Sequence, residues 1–242
     1  MSQEIKRIFL TGPPGSFWSG VDSVLRNAFI DTDHSDWTEK RQWILKDGRK
    51  VHRGAYFSIG NEFGNWICDF HRYSREEILE TLDSVFVPQP DKEVLVRLHK
   101  SHEFSHHLDQ IMEQFPEAAI VMVNNEPHKC LHNWHICEGF DHVYDPYPEH
   151  VFHGNYEHVW EEINYQHWAI RHFNRKHSLT TSTASKKWII ENFGNKVYPE
   201  ILDGVEKIYD GVPTLHYPRN KRLGLIDTLA ISTIPWKEKL NK

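Results

Sequence analysis

Apolar and polar positions alternate through the first half of the chain so as to spell strands and helices in turn. Residues 6–10 (KRIFL) are a short apolar run ending at a Gly/Pro loop, and residues 19–29 place Val21, Val24, Leu25 and Phe29 at helical spacing. A strand, loop, helix unit is predicted there. Residues 74–85 open on Ser74 with Glu77 three positions on, the pair that makes a capping box, and carry Ile78, Leu82 and Val85 on one face before Pro88 and Pro90. Residues 93–98 (EVLVRL) predict a strand, 102–115 a helix and 118–123 (AAIVMV) a further strand, the alternation of a parallel sheet with crossover helices. Pro127 suits the first turn of the next helix, capped by Asn124 or Asn125.

Elsewhere the pattern is weaker. Residues 31–70 are polar and aromatic without a clear period, with short strands predicted at GAYFSI and NWICDF. Between 156 and 209 three helical patterns follow and no strand competes. There are no internal repeats or obvious linkers, so residues 1–242 read as one α/β domain with a central, mainly parallel sheet flanked by helices and a helical C-terminal half.

Composition narrows the function. A 39% hydrophobic chain of 242 residues can build its core without disulfides, and a net charge of −6 argues against a general nucleic-acid binder, which needs a broad basic face. Three cysteines, Cys68, Cys130 and Cys137, fit a reducing compartment. No signal peptide and no run of roughly 20 apolar residues occurs, so a cytoplasmic protein without a membrane span is expected.

The chemistry begins at TGPPGSFWSGV, residues 11–21. Backbone N–H groups at a helix N-terminus favour an anion, and glycines let the backbone close around it. The loop is not a nucleoside triphosphatase loop: counting from Gly12, Phe17 stands where the second glycine belongs, Trp18 where the lysine belongs and Ser19 where the magnesium-binding hydroxyl belongs. An ordinary turn using Gly and Pro for geometry alone is the competing reading. The second stretch is VRLHKSHEF, residues 96–104, which puts Lys100, Ser101 and His102 just past a strand, at the sheet edge that carries the loop.

On these residues the chain resembles the sulfotransferases that use 3′-phosphoadenosine 5′-phosphosulfate. In that family a first strand leads into a loop of the form TYPKSGTTW, and a later strand ends in Lys-Thr-His or Lys-Ser-His with a catalytic histidine. HLDQIMEQFPEAAIVMVNNEPHKCLHNW is similar to the family's helix, strand and helix around the 3′-phosphate, and YPRNKRLG to its basic closing loop. The resemblance implies a three-layer, P-loop-like fold and sulfuryl transfer to a hydroxyl or amine of a small-molecule or carbohydrate acceptor. His102 would be the base and Lys100 its electrostatic partner on the same side of an extended segment. Gly12, Pro13, Pro14, Gly15, Ser16, Phe17, Trp18 and Ser19 would form the phosphosulfate loop, with Trp18 expected to pack in the core. Asn124, His132, Arg219, Lys221 and Arg222 would serve the 3′-phosphate.

The departures are specific. Pro14 stands in place of the family's loop lysine, Asn124 in place of the arginine and His132 in place of the serine of the 3′-phosphate site. Lys100 is the nearest candidate for the missing charge. A catalytically degenerate fold that binds a nucleotide or partner is one alternative. The other is a metal-dependent hydrolase, suggested by a chain of 18 histidines, seven of which crowd with two cysteines at His99, His102, His106, His107 and at His128, Cys130, His132, His135, Cys137. Their spacing fits no standard zinc signature, and no metal is expected.

Overall fold

The computed structural model describes residues 3–16, 18, 21–22, 25–26, 29, 31–37, 42–44, 50–52, 54–57, 70–136, 139–141, 156–179, 181–184 and 229–233. The strands are β1 (Glu4–Thr11), β2 (Gln42–Ile44), β3 (Lys50–His52), β4 (Val94–Lys100), β5 (Ala119–Asn124), β6 (Thr181–Ala184) and β7 (Leu229–Thr233). The α-helices with both ends described are α1 (Arg75–Asp83), α2 (Leu108–Gln114), α3 (Pro127–Ile136) and α4 (Tyr156–Lys176). Trp18, Val21, Asp22, Leu25 and Arg26 are also helical, as the spacing after the loop predicts.

β1 lies between β4 and β5 and runs parallel to both, with Ile8 opposite Leu98 on one side and Ala119 on the other. This is an α/β arrangement built on a three-stranded parallel sheet whose strands are buried over most of their length, with Arg7, Arg97, His99 and Lys100 buried beside the apolar residues. β7 and β6 extend the β5 side as antiparallel strands, giving the order β4-β1-β5-β7-β6. β2 and β3 make a separate antiparallel pair.

Local signals hold where they are strongest. At Ser74 the predicted capping box is made: the Ser74 N–H donates to Glu77 Oε2 at 2.8 Å and the Glu77 N–H to Ser74 Oγ at 3.3 Å. Pro127 opens α3, and Asn125 Oδ1 accepts from the Glu126 N–H at 2.9 Å. On one face Phe9, Ile120 and Met122 of the sheet pack with Ile78 and Leu82 of α1, Leu108 and Ile111 of α2, and Ile170 and Phe173 of α4. Burial of each such side chain is worth about 1.5–3 kcal/mol.

Three expectations are corrected. The helix predicted over 102–115 is a 3-10 turn, Glu103–His106, followed by α2, because His107 has φ −127°, ψ 25° between them. Thr181–Ala184 is a strand where the pattern predicts only helix: Ser178 at φ 52° takes the left-handed turn that ends α4, and the Thr-Ser-Thr-Ala segment then pairs with β7. Residues 185–209 of that pattern lie outside the described residues. At GAYFSI, residues 54–57 are irregular and only skirt the sheet, the Phe57 N–H donating to the Lys100 carbonyl at 3.2 Å. Of NWICDF, only Phe70 is described, in the 3-10 turn Phe70–Arg72. Among the described residues no helix is long and apolar enough to cross a membrane.

Candidate functional site

The carboxyl ends of β1, β4 and β5 meet at one edge of the sheet, and the loop after β1 is clamped there against α3. A Cβ on Gly12 would stand 2.6 Å from the Val123 carbonyl oxygen; one on Gly15, whose φ is +74°, would stand 1.9 Å from that of Cys130. The Gly15 carbonyl accepts from Asn133 Nδ2 at 3.0 Å, and the Ser16 N–H donates to the Pro13 carbonyl at 2.9 Å. Both glycines are thus required by close backbone approach. Gly15→Ala is expected to destabilise the protein by more than the roughly 1–2 kcal/mol that the left-handed backbone alone costs, because the clash with Cys130 adds to it. Urea unfolding measures this, and an unchanged midpoint would show that the loop is not held as described.

His102 joins this loop to the end of β4. Its ring Nδ1 donates to the Gly12 carbonyl, while its own carbonyl accepts from Thr11 Oγ1 at 3.1 Å and Ser105 Oγ at 2.7 Å. A carbonyl can only accept, so Nδ1 carries the hydrogen and, in the neutral ring, Nε2 is the acceptor nitrogen. Trp18 is buried, as expected, and packs on the imidazole with ring centres 4.5 Å apart; Tyr56 stands edge-on at 5.7 Å. The fold therefore fixes the tautomer, orientation and burial of this histidine.

Lys100 is placed differently from the expectation. His102 has φ −61°, ψ −38°, so the alternation of an extended segment does not carry from Lys100 to His102. Lys100 Nζ instead donates to Asp22 Oδ2 at 2.9 Å. Arg26 donates to Asp22 Oδ1 at 2.9 Å and to both oxygens of Asp36 at 3.0 and 3.1 Å, and Asp36 also accepts from the Ala55 N–H. All four side chains are buried. Two cations and two carboxylates balance, so this network leaves no net positive charge to stand in for the absent loop lysine. Sequence reasoning missed Asp22, Arg26 and Asp36; the i,i+4 spacing of Asp22 and Arg26 was the available signal.

Burial lowers the Lys100 ammonium to about 8, against the attraction of Asp22. An unfolded lysine keeps its proton up to about 10.5, so between these values the unfolded chain binds the proton that the folded one has lost. Stability contributed by Lys100 therefore rises with pH across that window. Comparing unfolding free energies of wild type and Lys100→Met from pH 7 to 11 tests this: the difference should move in favour of wild type, and a flat difference would contradict it.

Around the expected 3′-phosphate site, Asn124 Oδ1 accepts from the Asn125 N–H at 3.0 Å and from His167 Nδ1 at 2.9 Å. Three other buried polar atoms, Ser16 Oγ, Asn125 Nδ2 and His132 Nε2, have no hydrogen-bond partner among the described residues. They come from the loop, the end of β5 and α3, the elements that Gly15, Cys130 and Asn133 hold together. Such orphans are rare, and each costs about 1–3 kcal/mol when nothing satisfies it. Burial, with nearby His135, lowers the His132 imidazole from its ordinary value. Phe17, Ser19, Arg219, Lys221 and Arg222 lie outside the described residues.

The histidine crowding resolves into separate environments. His99 is fully buried among Phe9, Phe57 and Phe86, neither ring nitrogen has a hydrogen-bond partner among the described residues, and burial lowers it well below the usual imidazole value. The His106 Nε2 lies 2.6 Å from Glu162 Oε1 and 3.7 Å from Glu103 Oε2. Neither glutamate was singled out from the sequence. Comparison of the chain with known protein families, curated proteins and solved structures finds no match.

Proposed function

We propose that the chain is a divergent sulfotransferase, with the three-layer P-loop-like fold of that family, that moves a sulfuryl group to a hydroxyl or amine on a small-molecule or carbohydrate acceptor. The observation that carries this reading is the hydrogen bond from His102 Nδ1 to the Gly12 carbonyl. It joins the two stretches on which the resemblance rests and leaves Nε2 as the basic atom at the strand ends, where open α/β sheets bind ligands. A base so oriented would take the acceptor's proton as the acceptor oxygen or nitrogen bonds to the donor's sulfur and the sulfur–oxygen bond to the 5′-phosphate breaks, adenosine 3′,5′-bisphosphate leaving with the electron pair.

The donor, 3′-phosphoadenosine 5′-phosphosulfate, supplies the sulfuryl group. Fit to its phosphates is supported by the orphan donors: the Ser16 hydroxyl and the Asn125 amide nitrogen are buried, without a partner among the described residues and able to donate to an anion, and His132 Nε2 can do so in its N–H form. Lys100, neutralised by Asp22, orders the end of β4 in this scheme, and Arg219, Lys221 and Arg222 are left to supply positive charge. A binding protein that has lost the chemistry is the second reading, favoured by Pro14 in the loop and by the Lys100–Asp22 pair.

Calorimetric titration of metal-stripped protein with adenosine 3′,5′-bisphosphate, AMP and ATP tests the assignment. Selective binding of the bisphosphate, weakened by Asn125→Ala, is expected; no binding of the bisphosphate would overturn the proposal. Binding without sulfation of any hydroxyl or amine in an acceptor panel would transfer the lead to the second reading.

A further inference from the structure

We propose that Glu103, His106 and Glu162 form a binding site for one divalent transition-metal ion, of the Mn²⁺, Fe²⁺ or Zn²⁺ class, beside the turn that carries His102. One ligand atom from each of the three residues lies within 4.8 Å of the other two. Adjacent ligands around a single ion at about 2.0–2.2 Å stand about 3.0–3.6 Å apart, so the set has to draw in around an ion. Small rotations of two glutamate side chains would close the set. His106 is already fixed in orientation, its ring stacked on Tyr165 at 4.7 Å and 21°.

The groups present do not satisfy one another. Glu162 Oε1 takes both the His106 ring nitrogen and Gln166 Nε2, whereas among the described residues the Glu103 carboxylate has the 3.7 Å approach to His106 as its one ion pair. Two largely buried carboxylates thus share one imidazole, and a divalent ion would offset their repulsion.

Gln166 gives the independent indication. It is fully buried one helical turn beyond Glu162, its amide lies against the same Glu162 oxygen, and its own Oε1 has no partner among the described residues. The two ends of a terminal amide are set by their neighbours. A half-turn presents the Gln166 oxygen to the cluster, which becomes favourable once a cation rather than a bare carboxylate faces it. The resulting oxygen-rich set with one imidazole suits a first-row transition metal better than a thiolate-preferring ion.

The placement has a consequence for the candidate base. Glu103 and His106 are in the 3-10 turn immediately after His102, and Glu162 is on α4, so an ion would tie that long helix to the turn. The site stands apart from the sulfotransferase reading and does not need it.

Full-length protein stripped with chelator and titrated with Co²⁺, followed by visible absorption and by calorimetry, tests the proposal. One equivalent should bind, be displaced by Zn²⁺, and raise the thermal midpoint. Glu103→Gln, which removes no hydrogen bond of that carboxylate, should weaken the ion by more than the about 10–100-fold that loss of an outer partner costs, and Gln166→Met by about that amount. His128→Gln should leave binding unchanged. Absence of stoichiometric binding, or Co²⁺ affinity unaltered by both Glu103→Gln and Glu162→Gln, would overturn the proposal and leave the three residues as an ion-pair cluster.

Discussion

On the proposed function, His102→Asn is expected to lower the rate of sulfuryl transfer about 10²–10⁴-fold, the usual contribution of a general base, with bisphosphate affinity little changed. Asparagine is the informative replacement because its amide can still donate to the Gly12 carbonyl from near the position of Nδ1, so the tie between loop and β4 survives. What it lacks is a basic atom in place of Nε2. Loss of the ring also removes contact with Trp18, so calorimetry on the same variant must accompany the rate. A wild-type rate would sink the assignment of the base. Loss of bisphosphate binding together with activity would instead show that the histidine serves by holding the loop.

The parts of the fold legible in the sequence are those whose signal is local. β1, β4 and β5 each carry a short apolar stretch, Ile8–Leu10, Val94–Val96 and Ala119–Val123, Ser74 and Glu77 lie three positions apart, and Pro127 marks its own helix start. Strand β6 escaped because its partner β7 is far along the chain and because one residue in the left-handed region, Ser178, diverts the chain out of a strongly helical pattern. Nothing in Thr-Ser-Thr-Ala names that partner.

The candidate site divides in the same way. Gly12, Gly15 and His102 could be read from short spacings, and they do meet at the sheet edge. Lys100 could not be placed, because its orientation is decided by Asp22, 78 positions away. Glu162 is likewise 56 positions from His106, and only folding of α4 against the turn brings them together. Spacing identifies residues that share an element; charge pairing between elements is settled by burial and by the partners that burial makes obligatory.

Arg26→Met is expected to destabilise the protein by about 3–5 kcal/mol, the usual cost of removing one partner from a buried ion pair. The guanidinium is fully buried and spans Asp22 and Asp36 with three hydrogen bonds, the two to Asp36 in the parallel arrangement that its fork favours. Without it, Lys100 alone faces Asp22, and Asp36 keeps only the Ala55 N–H as a donor among the described residues. Burial already raises the Asp36 carboxyl above its ordinary value with Arg26 in place, and the variant raises it further. The sign with pH follows: in the variant the folded state holds a proton on Asp36 that the unfolded state has lost, so its defect should shrink as pH falls through the raised value toward the ordinary one. Urea unfolding at pH 7 and pH 5 measures both effects. Arg26→Lys keeps the charge but not the fork and should fall between, while adding Asp36→Leu to Arg26→Met should recover part of the loss by removing the stranded carboxylate. A single-variant loss below about 1 kcal/mol, the range of an exposed pair, would mean that water reaches these charges and that the end of β4 is not anchored by them.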